Sequence, residues 1–196
     1  METLRRLSKK ERRKVLIKAA VQVFSKENYQ IARVADITKT AGVSEPVLYH
    51  HFHSKKELYL EILRKILERS VERLETEAAK GDSPKEKLDY IFHEYINMLE
   101  NYRAELKVQF QAFSEIDDPE VKEVINNGYH AAFNLIAEII EEGKEKNRFK
   151  SNLDSQQFAQ FFIGNTVHIN AYSLNGILDC AYPEKLYKVF LTSIIV

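Results

Sequence analysis

Cysteine is nearly absent from this sequence: Cys180 is the only one in 196 residues, so no intrachain disulfide can form. Glycine and proline are also scarce, at 6 and 4. Folds of many short strands need frequent turns built on those two residues, so a many-turned β architecture is disfavoured. No strand-like alternation, low-complexity tract or internal repeat is present. No apolar run approaches the roughly 20 residues of a membrane span. The charged N-terminus lacks the apolar stretch of a secretion signal. Together with the single cysteine, these features predict a cytoplasmic protein. Also missing are a glycine-rich phosphate loop, a nucleophile elbow, a paired-carboxylate signature and a zinc-ligand spacing. No enzyme activity, cofactor or metal site is therefore expected.

What is present is the balance of an ordinary globular protein, 44% hydrophobic and 30% charged. The net charge of zero conceals a division. Residues 1–66 carry 15 lysines and arginines against 7 acids, and the rest carry 14 against 22. A basic first third on an acidic remainder suits a polyanionic partner for that third alone, although a solvated basic helix would have the same charge.

Apolar residues recur at helical spacing through most of the chain, which predicts an all-α fold of about nine helices. Leu16, Ala20, Val23 and Phe24 mark a helix over about 8–26, opened by Ser8 and Glu11 as a capping box. Asn28 follows as a left-handed terminator. Short helices are expected at 33–40 and 45–51, parted by Gly42, with Ser44 capping the second. Ser54 and Glu57, read as a second capping box, open a long helix to about 80, which Gly81 and Pro84 end. Further helices are expected from 84, at 103–114, from Asp117-Asp118-Pro119 to about 146, at 154–175 and at 183–196.

Three short helices, the last two joined by a turn with glycine, outline a helix-turn-helix. Ala41 allows close packing, Gly42 accepts a left-handed backbone, and Val43 fills the gap between the helices. With Leu48 and Phe52 turned inward, Glu45, Pro46, Val47, Tyr49 and His50 face outward. His50, His51 and His53 lie close in sequence, but no carboxylate or cysteine cluster accompanies them, so no metal is expected there. Cys180 reads as a small buried hydrophobe rather than a redox sensor.

The run from Arg13 to Leu58 resembles the DNA-binding domain of the TetR family of repressors. The likeness rests on Val34-Ala35-Asp36-Ile37, Ala41-Gly42-Val43-Ser44, Leu48-Tyr49-His50-His51-Phe52 and Ser54-Lys55-Lys56-Glu57-Leu58, after Ala19-Ala20 and Val23-Phe24. Four positions depart from the family's usual residues: Asn28, Ala32, Thr38 and the pair Pro46-Val47. They bear on which DNA sequence is read.

The resemblance implies a helix-turn-helix domain over 1–54 and an effector-binding and dimerisation domain over 55–196, joined by the helix at 55–80. It implies a ligand-responsive repressor that binds palindromic operator DNA as a homodimer through its last two helices. A small apolar or aromatic effector would release it. Tyr49 and Lys55 would contact phosphates, with Arg33 and Lys39 as additional partners. His50 and Val47 would read base edges, Val47 against a thymine methyl, and Glu45 would accept from a cytosine amine or favour the helix N-terminus. Arg5, Arg6, Lys9 and Lys10 either reach a flanking backbone or form a basic tail.

Aromatic residues crowd the middle of the chain. A pocket is expected among Phe92, Tyr95, Phe110, Phe113, Tyr129, Phe133 and Phe162, with Asn165 and His168 as polar contacts. The competing account of each ring is a core packed with large side chains. The competing functions are a helical protein-interaction module and a helical enzyme, each with an incidental basic face.

Overall fold

The computed structural model describes residues 8–196, so Arg5 and Arg6 lie outside the described residues. Among the described residues there are nine α-helices and no strand beyond one isolated bridge. Their order is α1 (Lys9–Ile31), α2 (Val34–Ala41), α3 (Glu45–His51), α4 (Lys55–Ala78), α5 (Pro84–Asn101), α6 (Arg103–Gln111), a 3-10 turn (Ala112–Glu115), α7 (Pro119–Glu145), α8 (Ser155–Leu174) and α9 (Tyr182–Ile194).

The helix starts follow from side chains near them in sequence. Ser8 and Glu11 form a reciprocal cap, as do Ser83 and Glu86. Ser54 Oγ accepts from Glu57 N at 3.0 Å, which fixes the start of α4. Gly42 stands at φ 68° and ψ 31°, the left-handed conformation that the tight turn between α2 and α3 requires. Two ends differ from the sequence reading. Asn28 has the expected positive φ of 59°, but its ψ of 171° is not left-handed helix, and α1 resumes for one more turn. Asn28 Oδ1 accepts from Ile31 N there. The helix expected to run through Ser114 tightens into the 3-10 turn after Gln111.

Two apolar cores organise the chain. The first joins Leu16, Phe24, Ile37, Leu48 and Phe52 to Leu58, Ile62 and Leu63 of α4, then to Val108, Ala112, Val121 and Val124. It therefore passes from α1–α3 into α6 and the start of α7. The second lies farther along the bundle, among α5, α8, α9, the end of α4 and the rest of α7. Its lower corner is Phe149, packed on Gly143: a Cβ there would fall 2.0 Å from the ring, so no larger residue fits. Phe149 also pairs with Ile195 in the isolated bridge, tying the end of α9 to the turn after α7.

Candidate nucleic-acid interface

On α3 the inward side is closed, with Leu48 and the following Phe52 inaccessible to solvent. Its other side is open: Glu45, Pro46, Tyr49 and His50 are exposed and Val47 is half-buried. Tyr49 is 47% exposed, unusual for a large aromatic on so short a helix. Arg33 and Lys39 are exposed at either end of α2, and Lys9 and Lys10 on the first turn of α1. The structure thus places seven of the eight expected DNA contacts on accessible surface near α3. Ser44 occupies the N-cap position of α3, but its side chain makes no capping bond, contrary to expectation. Its carbonyl accepts from Val47 N at 3.0 Å instead.

Lys55 is the exception. Its ammonium turns inward and donates to the carbonyls of Tyr29 at 2.8 Å and Ala32 at 3.1 Å. It also lies 4.6 Å from the Tyr29 ring centroid. It closes the end of α1, where free carbonyls carry negative partial charge. A phosphate contact, as the resemblance implies, would require it to leave these acceptors.

Three residues without an assigned role in the sequence reading tie α4 to its neighbours, and one of them also holds the end of α3. Arg13 lies over the Phe52 ring at 4.2 Å, donates to the His51 carbonyl at 2.6 Å, and pairs with Glu61 of α4. Lys56 bridges to Asp118 and Glu120 at 2.7 Å each, joining the starts of α4 and α7. Tyr29 stacks on the buried Tyr59 with centroids 4.4 Å apart. Arg13 lies on the same face as Leu16 and Ala20, but helical spacing alone does not say which partner it meets.

His51 is buried, and neither ring nitrogen has a hydrogen-bond partner. Burial pushes its pKa below the usual histidine value, and the positive neighbours His50, Lys9, Arg12 and Arg13 push the same way. His53 is exposed and meets Glu57 at 2.8 Å. Among the described residues no group of three or more histidines, cysteines or acids is placed to hold a metal ion. Cys180 is exposed, not the buried hydrophobe that was expected.

The nine residues expected to line a pocket divide into separate groups. Phe92 stacks on Tyr187 with centroids 4.2 Å apart, and Phe162 meets Phe190 edge-on at 5.0 Å. With Asn165 they border a cavity of about 20 Å³, room for little more than a water molecule. Tyr95 donates to the Thr166 carbonyl at 2.5 Å. Tyr129 accepts from Gln109 Nε2 at 3.2 Å and lies between Phe113 and Phe133, while Phe110 packs on Phe113. Burial raises the pKa of both tyrosines. His168 packs against Tyr172 and Tyr182. Gln109 Oε1 and His168 Nε2 are buried without partners. A more spacious cleft, about 500 Å³, lies between α1, α4 and the α5–α6 junction, where the sequence reading placed nothing.

Comparison with known proteins accounts for both parts of the chain. Residues 16–62 match the family model described as bacterial regulatory proteins, tetR family. Residues 63–173 match that of the YsiA-like protein, C-terminal region. The fatty acid metabolism regulator protein of Bacillus subtilis is 25% identical over 149 residues, covering 76% of each chain. The transcriptional repressor KstR2 of Mycolicibacterium smegmatis is 26% identical over 177 residues, covering 90% of this chain and 86% of that one. The structure of the transcriptional regulator FadR from Bacillus subtilis in complex with stearoyl-CoA superposes with a TM-score of 0.80 at 21% identity, covering 92% of this chain and 98% of that one, which shows a shared fold.

Proposed function

This chain belongs to the TetR family of bacterial regulatory proteins and is a transcriptional regulator; we propose that it is a repressor that binds palindromic operator DNA as a homodimer and leaves it when an apolar effector binds. The observation that carries this reading is the two-sided α3, closed on Leu48 and Phe52 and open at Glu45, Tyr49 and His50. A rod so held can lie in a major groove and present its outer side to bases. Residues 1–54 form the reading head and 55–196 the effector and dimer body, with α4 belonging to both. The regulator works in the cytoplasm, where its DNA is; no described helix is long and apolar enough to cross a membrane.

Within this reading Tyr49, Arg33 and Lys39 meet phosphates, and His50 and Val47 meet base edges. Glu45 and Pro46 lie at the groove-facing start of α3. Lys55 supports the head from behind. The last two helices supply the dimer surface. Phe161 and Val189 are 51% and 61% exposed, and open space lies above Gly164, so α8 and α9 present an apolar face that a second copy would cover. The effector enters among the rings of α5–α8, displacing side chains that now fill the space, and supplies partners to Gln109 Oε1 and His168 Nε2. The FadR complex supports a long acyl chain as one candidate.

Selection of duplexes from a random pool, followed by titration of the enriched sequence, tests the reading. An inverted repeat is expected. Tyr49→Phe should weaken enriched and unrelated duplexes alike, while His50→Ala should lower affinity for the enriched one alone, by about tenfold. A pool that enriches no sequence would end the operator reading.

A further inference from the structure

The cleft between α1, α4 and the α5–α6 junction is built differently from the aromatic interior. Its floor is aliphatic: Ile17 and Val21 from α1, Ile62 and Ile66 from α4, with Met98 and Leu106 opposite. Its rim is cationic: Lys14 and Lys18 from α1, Lys65, Arg69 and Arg73 from α4, against one lining acid, Glu105. About 500 Å³ is within the range of small-molecule sites.

The rim charges are not all neutralised by the fold. Lys65 pairs with Glu61 at 2.7 Å, and Arg73 pairs with Glu94 and donates to Tyr102 Oη. Lys18 and Arg69 make no ion pair or hydrogen bond among the described residues, and Lys14 has only the more distant attraction of the Glu11 carboxylate. The spacing adds to the imbalance. Lys14 and Lys18, Lys65 and Arg69, and Arg69 and Arg73 each stand four residues apart on one helix, where like charges repel. Repulsion around an aliphatic floor is relieved by a molecule with a negative end and an apolar body. A rigid duplex satisfies the charges but not the floor, and a neutral hydrophobe satisfies only the floor.

We infer that this cleft binds an anionic amphiphile, its carboxylate or phosphate among Lys18, Arg69 and their neighbours and its hydrocarbon on Ile17, Val21 and Ile66. The site is separate from the interior effector region. It lies where the reading head meets the body, so its occupant bridges α1 and α4. Only the regulatory consequence of that bridge rests on the repressor reading.

Isothermal titration calorimetry of the full chain, without DNA and at low ionic strength, tests the site. The probes are decanoate and decyl phosphate below their micellar concentrations, with decanol and inorganic phosphate as the two halves. At least one decyl anion should bind tenfold or more tightly than decanol and than phosphate; the better of the two identifies the head group. The exposed pair Lys18→Glu with Arg69→Glu should weaken that binding tenfold or more while leaving the circular-dichroism melt unchanged. The pair Lys26→Glu with Lys122→Glu, which changes the net charge equally elsewhere, should alter it by less than twofold. Decanol binding as tightly as the anions would overturn the inference. So would equal effects of the two charge-reversed pairs, which would place an anion in the interior instead and leave the operator reading intact. Failure of duplex selection with cleft binding preserved is the opposite result.

Discussion

Lys55 shows how one side chain can suit two roles that only its surroundings separate. In sequence it stands where a TetR head touches phosphate; in the fold its ammonium is held by the carbonyls that end α1. Charge-assisted bonds of this kind contribute about 1.5–3 kcal/mol in a protected site. Lys55→Met should therefore lower the thermal midpoint measurably. It should also weaken DNA binding without changing the slope of log affinity against log salt. A slope reduced by about one unit would return Lys55 to the phosphate backbone. His51 makes a second residue-scale prediction. Burial favours its neutral form, so its folded pKa lies below the unfolded value of about 6.5. The unfolded chain then takes up a proton that the folded chain resists, so stability is full above about pH 6.5 and falls as pH drops through that value. Urea melts of the native chain and His51→Leu should diverge between pH 7.5 and 5.5, the native chain losing more. Neither residue's environment was legible in sequence, because periodicity gives a residue's face and not its cross-helix partner.

Helix boundaries, by contrast, were largely legible, because most caps lie within three residues of the end they stabilise. Ser8 and Ser83 form the reciprocal caps that their spacing to Glu11 and Glu86 indicates, whereas Ser54 accepts from Glu57 N but the Glu57 carboxylate accepts from His53 N instead of Ser54 N. Ser44 makes no side-chain cap, and the residue three positions on is Val47 rather than an acid. The contrast is measurable. Ser54→Ala should cost about 1 kcal/mol, the usual value of a lost N-cap, and Ser44→Ala less than half of that, in matched urea melts. The aromatic elements of the body were legible as elements but not as a cavity. Rings at helical spacing can line a space or fill it, and here Phe92 on Tyr187 and Phe162 on Phe190 fill it. The cleft escaped the sequence reading for a related reason: Ile17, Ile66 and Leu106 come from three helices, and no local pattern announces their meeting.

For the whole molecule, the division of charge singled out the first third as the part suited to a polyanionic partner. Of the fifteen basic residues there, Arg33 and Lys39 are exposed at the ends of α2, whereas Arg13, Lys55 and Lys56 are engaged within the fold, so the charge balance marked a region and not the role of each residue. The order and number of helices were legible at this scale too, since sparse glycine and proline leave few places for the chain to turn. The assembly is the remaining question at this scale. Phe161→Glu with Val189→Glu places charge on the exposed apolar residues of α8 and α9, with a thermal melt to check that loss of the Phe161 stack on Phe190 leaves the fold in place. Sedimentation should give a dimer for the native chain and a monomer for the variant, whose affinity for an inverted repeat should drop to that of a single half-site. A native monomer at micromolar concentration would move the dimer surface elsewhere.

The first core has no seam at residue 54. Leu48 below α3 belongs to the same packed layer as Val108, Ala112 and Val121 of the body. There is no slack tether in this packing to absorb a shift in α6 or α7, so a displacement there should reach α3. Substitutions at Ala112 or Val121 would then surface in a genetic screen as altered operator occupancy, although neither residue comes near a base.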